Sequence, residues 1–252
     1  MTSPRFEGDP PTHFLSPLLE KAGLPHLFTT RNFPGVTAFR DPFPPLGADA
    51  QPLLAENGLG SHPAAFLKQV HGAGVVHASE GGLAGNADAI VTGTPGLPIA
   101  VFSADCVPLL VYDPDGPRLA AAHAGWRGTV QSVARAVVEA LVEAGGRAEG
   151  FLAAVGPSIG PCCYEVDKPV IAQLDQAFPG RWGAWVRSGE PGRWTLDLWA
   201  ANEEQLRDAG IRGDRISNPR LCTGCRTDLF YSYRRGKMGR LVSIAALPAS
   251  DG

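Results

Sequence analysis

An α/β fold is predicted for this chain by three observations. After residue 64, short β-rich apolar runs alternate with segments of helical period. Residues 130–142 carry one continuous apolar face on a 3.6-residue period. No linker, internal repeat or low-complexity tract divides the 252 residues, so residues 1–252 are expected to form a single domain.

The elements follow in order. Residues 1–26 are Pro-rich and weakly patterned, an ordered edge at best. Residues 40–63 hold five prolines and little periodicity, which suggests a connecting or covering segment. Residues 99–102 and 107–112 are apolar and β-rich, and read as buried strands. A third strand, 119–122, ends at His123. In the helix that follows, Val130, Val133, Ala134, Val137, Val138, Leu141 and Val142 share a face; Thr129 can cap its start and Gly145-Gly146 its end. Residues 151–155 read as a strand, 167–178 and 196–209 as helices, and 241–247 as a closing strand.

The bulk numbers narrow the function classes. The hydrophobic fraction is 44% and the charged fraction 19%, ordinary for a globular protein. A net charge of -3 gives no general attraction to nucleic acid or to an anionic membrane. Residues 1–14 lack the apolar core of a secretory signal, and the apolar stretch 97–112 is interrupted by Asp105 and too short to span a bilayer. A cytoplasmic protein is expected. Five cysteines, an odd number, then favour free thiols or metal ligands over a disulfide framework.

Three segments present soft or borderline metal ligands: His71 within Gln69-Val-His-Gly72, Cys106 within Ser103-Ala-Asp-Cys106, and His123 within Ala122-His-Ala-Gly-Trp-Arg-Gly128. Two imidazoles and a thiolate suit zinc, and three protein ligands leave one position for water or substrate. Each residue also has a plainer reading. Cys106 can be a buried structural thiol, His123 a satisfied core histidine, and His71 a loop residue. Cys106 can equally be a nucleophile with His123 or His71 as its base, a reading that predicts the opposite response to alkylation. Asp105 is the candidate to orient a ligand or carry a proton. Arg127, just before a helix start, is a candidate anion holder.

The remaining motifs are weaker. Cys222-Thr-Gly-Cys225 is a lone CxxC, read as structural or as a redox pair. Cys162 and Cys163 are adjacent, so in an extended segment they would point opposite ways and not serve one metal together. A fourth ligand from Cys162 or Cys225 beside the three above would make that zinc structural, in a binding module. The turn Gly156-Pro-Ser-Ile-Gly160 can expose backbone N–H groups to a substrate. The segment 226–240 holds five cationic residues, Arg234 and Arg235 among them, with Phe230, Tyr231 and Tyr233, and can bind phosphate and stack a base.

These residues carry a resemblance. Phe28-Thr-Thr-Arg31, Lys68-Gln-Val-His-Gly72, Phe102-Ser-Ala-Asp-Cys-Val-Pro-Leu-Leu110, His123-Ala-Gly-Trp-Arg-Gly-Thr129, Gly156-Pro-Ser-Ile-Gly-Pro-Cys-Cys-Tyr-Glu165 and Phe230-Tyr-Ser-Tyr-Arg-Arg235 with Gly239-Arg240 occur in this order. In them the chain resembles the YfiH-type family, described both as multicopper polyphenol oxidoreductases (laccase-like) and as purine nucleoside phosphorylases.

The resemblance implies packed mixed sheets flanked by helices, similar to the catalytic domain of cytotoxic necrotizing factor. It implies a zinc site at His71, Cys106 and His123, with copper as the alternative from the family's description. It further implies phosphorolysis of adenosine, inosine and methylthioadenosine, and deamination of adenosine, so that the expected partners are a purine nucleoside and phosphate. Asp105 and Arg127 become catalytic candidates, and Arg31, Gln69, Arg234 and Arg235 substrate-binding ones.

Amide hydrolysis in peptidoglycan-precursor editing and laccase-like oxidation are the alternatives, although six histidines are few for several copper centres. One departure stands out: the family's Ser-Leu-Asn-Leu-like stretch is absent from Val36-Thr-Ala-Phe-Arg-Asp-Pro-Phe-Pro-Pro-Leu46.

Overall fold

A computed structural model describes residues 4–36 and 46–249. Most of the departing stretch, residues 37–45, lies outside the described residues. The pleat of the central strands sorts their side chains into two layers. In Val107–Asp113, Leu110 and Tyr112 face one core, and Leu109 and Val111 face another. Arg118–Ala124 repeats the division, with Leu119 and Ala121 on one side and Ala120 and Ala122 on the other. Strands covered on both faces read as unbroken apolar runs, which is how they stand in the sequence.

Among the described residues the strands form two large sheets and one small one. The first large sheet has seven strands in the order Arg5–Glu7, His13–Leu15, His26–Thr29, Leu241–Ala246, Pro98–Ser103, Ala65–Lys68, Gly82–Asn86. The second has six, in the order Ile216–Ser217, Leu152–Val155, Val107–Asp113, Arg118–Ala124, Ala89–Thr92, Val75–His77. The small sheet joins Glu165–Asp167, Arg193–Leu196 and Val186–Ser188.

The two large sheets meet over a shared core that includes Phe14, Phe28, Leu67, Ile99, Val101, Leu110 and Leu119. The helix Val133–Glu143 covers the back of the six-stranded sheet through Val137, Val138 and Leu141, with Leu198–Asp208 packed beside it. The outer face of the seven-stranded sheet, with Phe66, Phe102 and Ile244, lies under Leu54 of the helix Gln51–Glu56. The mixed α/β class with helix-flanked sheets is therefore the observed one.

Three sequence expectations need correction. The single helix expected over 130–142 is two, Trp126–Val130 and Val133–Glu143. Ser132 stands between them in the left-handed region at φ 63°, which breaks the helical run. Thr129 is not a cap: it is buried, and its hydroxyl oxygen accepts from Asn202 Nδ2 at 3.0 Å. The end does behave as expected. Gly145 at φ 91° and Gly146 close it with bonds to Val142 O and Leu141 O, a Schellman arrangement.

The N-terminal segment is the third correction. Residues 5–29 supply three strands of the seven-stranded sheet, and Phe14 is fully buried with its ring stacked on Phe28 at 5.1 Å. Short strands separated by prolines gave no period long enough to read.

Phe14→Ala is expected to lower unfolding free energy by about 3–5 kcal/mol in a denaturant titration, because it empties a buried aromatic site between two sheets. A loss under about 1 kcal/mol would show that the N-terminal strands are peripheral.

Candidate metal centre and its cavity

Among the described residues the chain passes from the seven-stranded to the six-stranded sheet at three points, and two of these carry ligands. Residues 104–106 join Pro98–Ser103 to Val107–Asp113, and residues 69–74 join Ala65–Lys68 to Val75–His77. Both crossings turn sharply at a non-glycine residue in the left-handed region, Asp105 at φ 91° and His71 at φ 61°. Such conformations persist where surrounding bonds over-determine them. His123 lies near the end of Arg118–Ala124, paired with Pro108. His71, Cys106 and His123 thus come together from three segments, with their ligand atoms within 4.8 Å of one another. The two imidazoles meet edge to face, with centroids 4.9 Å apart at 79°. Gly125 makes room for this: a Cβ there would stand 2.9 Å from Cys106 Sγ and 3.3 Å from His71 Cδ2.

The residue that orients this set is Asp88, which the sequence reading missed. Its carboxylate is wholly buried. Oδ1 lies 2.8 Å from His123 Nδ1, and Oδ2 accepts from Gly72 N at 2.6 Å and Val70 N at 3.1 Å. A carboxylate partner assigns the proton to Nδ1 and leaves Nε2 for Cys106 or a metal. Burial pushes the Asp88 carboxyl up, but the hydrogen bonds from His123 and Gly72 outweigh it and hold the group below the usual range. The only sequence signal for Asp88 is an acid set directly before the apolar strand Ala89–Thr92.

Charge in the metal-free set is shared between thiol and imidazole. Burial raises the Cys106 thiol, yet His123 and then His71 bring it down to about 6. Burial lowers the His123 imidazole, yet the Cys106 thiolate and Asp88 bring it up to about 9. Both shifts favour a thiolate–imidazolium pair at neutral pH. Two imidazole nitrogens and a low-pKa thiolate, one ring already fixed by a carboxylate, are a donor set that fits zinc.

The three ligands line a cavity of about 470 Å³, the size of a small-molecule site. Arg127, Arg234 and Arg240 bring positive charge to it, and Phe102, Trp126, Tyr164 and Tyr233 bring aromatic rings. The Arg127 guanidinium lies 4.4 Å from the Trp126 ring centroid. Arg234 lies 5.2 Å over the Tyr164 ring, and its Nη1 donates to Glu165 O at 2.8 Å.

The other expected site residues separate. Gln69 lines the cavity, but its amide is occupied: Nε2 donates to Phe102 O at 2.7 Å and Oε1 accepts from Phe102 N at 2.8 Å. Asp105 lines the cavity without orienting a ligand, because Oδ1 accepts from Thr223 Oγ1 at 2.6 Å and Oδ2 from Arg234 N at 2.7 Å. Arg31 and Arg235 are not among the lining residues. Arg31 donates to Thr227 O at 2.8 Å and lies 5.4 Å over the Tyr231 ring. Arg235 donates to Cys163 Sγ and Gly224 O, both at 3.2 Å.

The turn 156–160 does not offer its N–H groups to a substrate. They go to Pro108 O, Leu221 O, Asp105 O and Cys222 Sγ. Nor do Cys162 and Cys163 diverge. They lie in a turn, not in extended chain, with Cys163 N and Tyr164 N both donating to Gly160 O, and they gather with Cys222 and Cys225 within 4.8 Å.

The two-sheet α/β fold thus sets a His–Cys–His group able to hold a metal ion against an aromatic, cationic cavity. The chain belongs to the family described as multi-copper polyphenol oxidoreductase laccase, whose sequence model matches residues 47–248. It is 41% identical over 251 residues to a purine nucleoside phosphorylase of Deinococcus radiodurans, covering 94% of this chain and 95% of that one. It is 35% identical over 190 residues to adenosine deaminase RL5 of an unknown prokaryotic organism, covering 75% and 72%.

Two solved structures share the fold. The hypothetical protein YfiH of Bacillus licheniformis has a TM-score of 0.83 at 29% identity, and YlmD of Geobacillus stearothermophilus has 0.83 at 28%. Each match covers 96% of this chain and 98% of the other. Among the described residues no helix is long and apolar enough to cross a membrane.

Iodoacetamide should modify Cys106 of the chelator-treated protein with a rate that is half-maximal near pH 6, where an ordinary thiol would need about 9. Prior zinc loading should suppress it. A midpoint above pH 8, read by peptide mass spectrometry, contradicts the thiolate–imidazolium pair. Asp88→Asn should weaken metal binding by about 10–100-fold in a chromophoric chelator competition, with the fold retained.

Proposed function

We propose that this protein is a zinc-dependent purine nucleoside enzyme. It cleaves adenosine, inosine or methylthioadenosine with phosphate, giving free base and ribose 1-phosphate or its methylthio analogue, and it also deaminates adenosine. The observation that carries this is the pairing, in one cavity, of the His71–Cys106–His123 set with aromatic faces for a base and guanidinium groups for a phosphate. Relatives named purine nucleoside phosphorylase and adenosine deaminase support it at the level of the family.

His71, Cys106 and His123 would hold the ion, with Asp88 fixing the His123 ring. When bound, the metal supplies Lewis acidity at the position its three protein ligands leave open; copper could use the same imidazole and thiolate donors. Arg127 and Arg234 attract and orient the phosphate, and each guanidinium is braced by the aromatic ring beneath it. In phosphorolysis a phosphate oxygen attacks C1′ of the ribose on the face opposite the base. The base leaves with the electrons of the glycosidic bond and takes up a proton. Burial, reinforced by the Cys106 charge, raises the Tyr164 hydroxyl far above its usual range, so it remains a hydrogen-bond donor in the cavity wall. Asp105 acts as a positioning residue, tying Thr223 and the Arg234 backbone to the crossing that carries Cys106.

A second reading has its own observation. Cys106, His123 and Asp88 stand in the order nucleophile, base and orienter, as in cysteine hydrolases acting on amides. Chelation separates the two readings, since it should abolish the first activity and raise the second.

Metal-loaded protein incubated with adenosine and phosphate should release adenine with ribose 1-phosphate, or inosine and then hypoxanthine, resolved by chromatography. Absence of all four products, with the metal shown to be bound, would refute the proposal.

A further inference from the structure

The five cysteines divide into Cys106, at the cavity, and a group of four. Cys162, Cys163, Cys222 and Cys225 place their sulfurs within 4.8 Å of one another, with Cys225 Sγ 3.4 Å from Cys162 Sγ and 3.5 Å from Cys163 Sγ. A disulfide requires about 2.05 Å and joins sulfurs in pairs. Four sulfurs at the corners of a tetrahedron around zinc, each about 2.3 Å from the ion, stand roughly 3.8 Å apart. The two closest separations fall a few tenths of an ångström short of that spacing and none exceeds 4.8 Å, and one sulfur is shared between two close contacts, which suits a common centre better than two pairs.

The backbone is shaped to make this possible. Cys222 and Cys225 flank a tight turn in which Cys225 N and Arg226 N both donate to Cys222 O, at 3.2 and 3.0 Å. The segments bearing the two cysteine pairs are laced together by Ser158 N to Leu221 O and Thr223 N to Ser158 O, both 3.1 Å. Gly224 lets Cys163 approach, since a Cβ there would lie 2.8 Å from Cys163 Cβ and 3.1 Å from its Sγ. Charge is answered as well as shape: Gly160 N donates to Cys222 Sγ and Arg235 Nη2 to Cys163 Sγ, each at 3.2 Å. N–H groups and a guanidinium aimed at sulfur stabilise thiolates. Cys162 and Cys225 are exposed, which gives an ion a way in.

We propose that Cys162, Cys163, Cys222 and Cys225 form a second metal site, an all-thiolate tetrahedral centre that takes one zinc ion, separate from the His71–Cys106–His123 set. Binding exchanges thiol protons, released to solvent, for four metal–sulfur bonds, and no electron changes hands. With four protein ligands the centre has no position for substrate, so its work is structural. It acts on the cavity wall through its neighbours. Thr223, inside the Cys222–Cys225 turn, holds Asp105 Oδ1; Tyr164, next to Cys163, lines the cavity; and Arg235, which donates to Cys163 Sγ, directly follows Arg234 of the cavity wall. This inference does not rest on the nucleoside reading.

The test is metal analysis of the full chain, purified reduced, loaded with Zn²⁺ and freed of excess. The wild type should retain about two equivalents per chain, and Cys162→Ser/Cys225→Ser about one. His71→Ala/His123→Ala should also retain about one, and after Co²⁺ exchange it should keep the intense sulfur-to-cobalt charge-transfer absorption of several thiolates, which in the cysteine double variant falls to that of Cys106 alone. The single variant Cys225→Ser, at an exposed position, repeats the measurement should the double variant fail to fold. A folded His71→Ala/His123→Ala variant holding none, a folded cysteine variant holding as much as the wild type, or a mass deficit showing disulfides among these four residues in the protein as isolated would each overturn the proposal.

Discussion

The buried carboxylate of Asp88 is the constraint on which the site depends. It sits at the start of a strand in the six-stranded sheet and accepts from one side chain and two backbone N–H groups. Through His123 it reaches the neighbouring strand, and through Val70 and Gly72 it clamps the crossing that carries His71. A buried charge left without these partners would be costly, so the fold that buries the carboxylate also has to supply them. The left-handed backbone of His71 is the visible result: the crossing is held on both sides of that residue by one carboxylate. Cys106 is then brought in by register, since Val107 and Pro108 pair with Ala124 and His123.

What could be read from the sequence was what a local pattern records. The central strands appear as apolar runs because both their faces are covered, and the Val133–Glu143 face appears as a 3.6-residue period because it lies on a sheet. The ligand triplet was legible because His71, Cys106 and His123 stand in segments whose ends are marked by Gly or by a change from apolar to polar residues.

What was not legible depended on partners distant in the chain. Asp88 is an unremarkable acid until His123, 35 residues on, is seen against it. Gln69 looks like a binding residue because it adjoins His71, yet its amide fills a gap in strand pairing against Phe102. Adjacent cysteines such as Cys162 and Cys163 diverge only in extended chain. Three residues of turn, set by Gly160, were enough to put both thiols on one side. The break at Ser132 is marked only by a serine of the kind that starts helices, with no Gly or Pro beside it, and the apolar period runs on across it.

The names attached to this family differ in chemistry but not in what they ask of these residues. A copper ion and a zinc ion can both use imidazole and thiolate donors. Beyond the number of histidines that several copper centres would need, what distinguishes the two readings is the charge and ring faces of the cavity. Here that wall combines guanidinium groups braced on aromatic rings, an arrangement suited to anionic and planar groups together.

The placement of His71 and Cys106 on chain crossings has a mechanical consequence. The two large sheets are distinct hydrogen-bonded bodies, so sliding of one across the other is resisted by side-chain packing and by these connecting strands of chain. Both crossings carry a ligand, and the third ligand belongs to one sheet alone. Any shear between the sheets is therefore felt as a change in the spacing of sulfur and nitrogen. An ion seated there would act as a rivet through the two layers, and the affinity of the site would gauge how well the sheets are aligned.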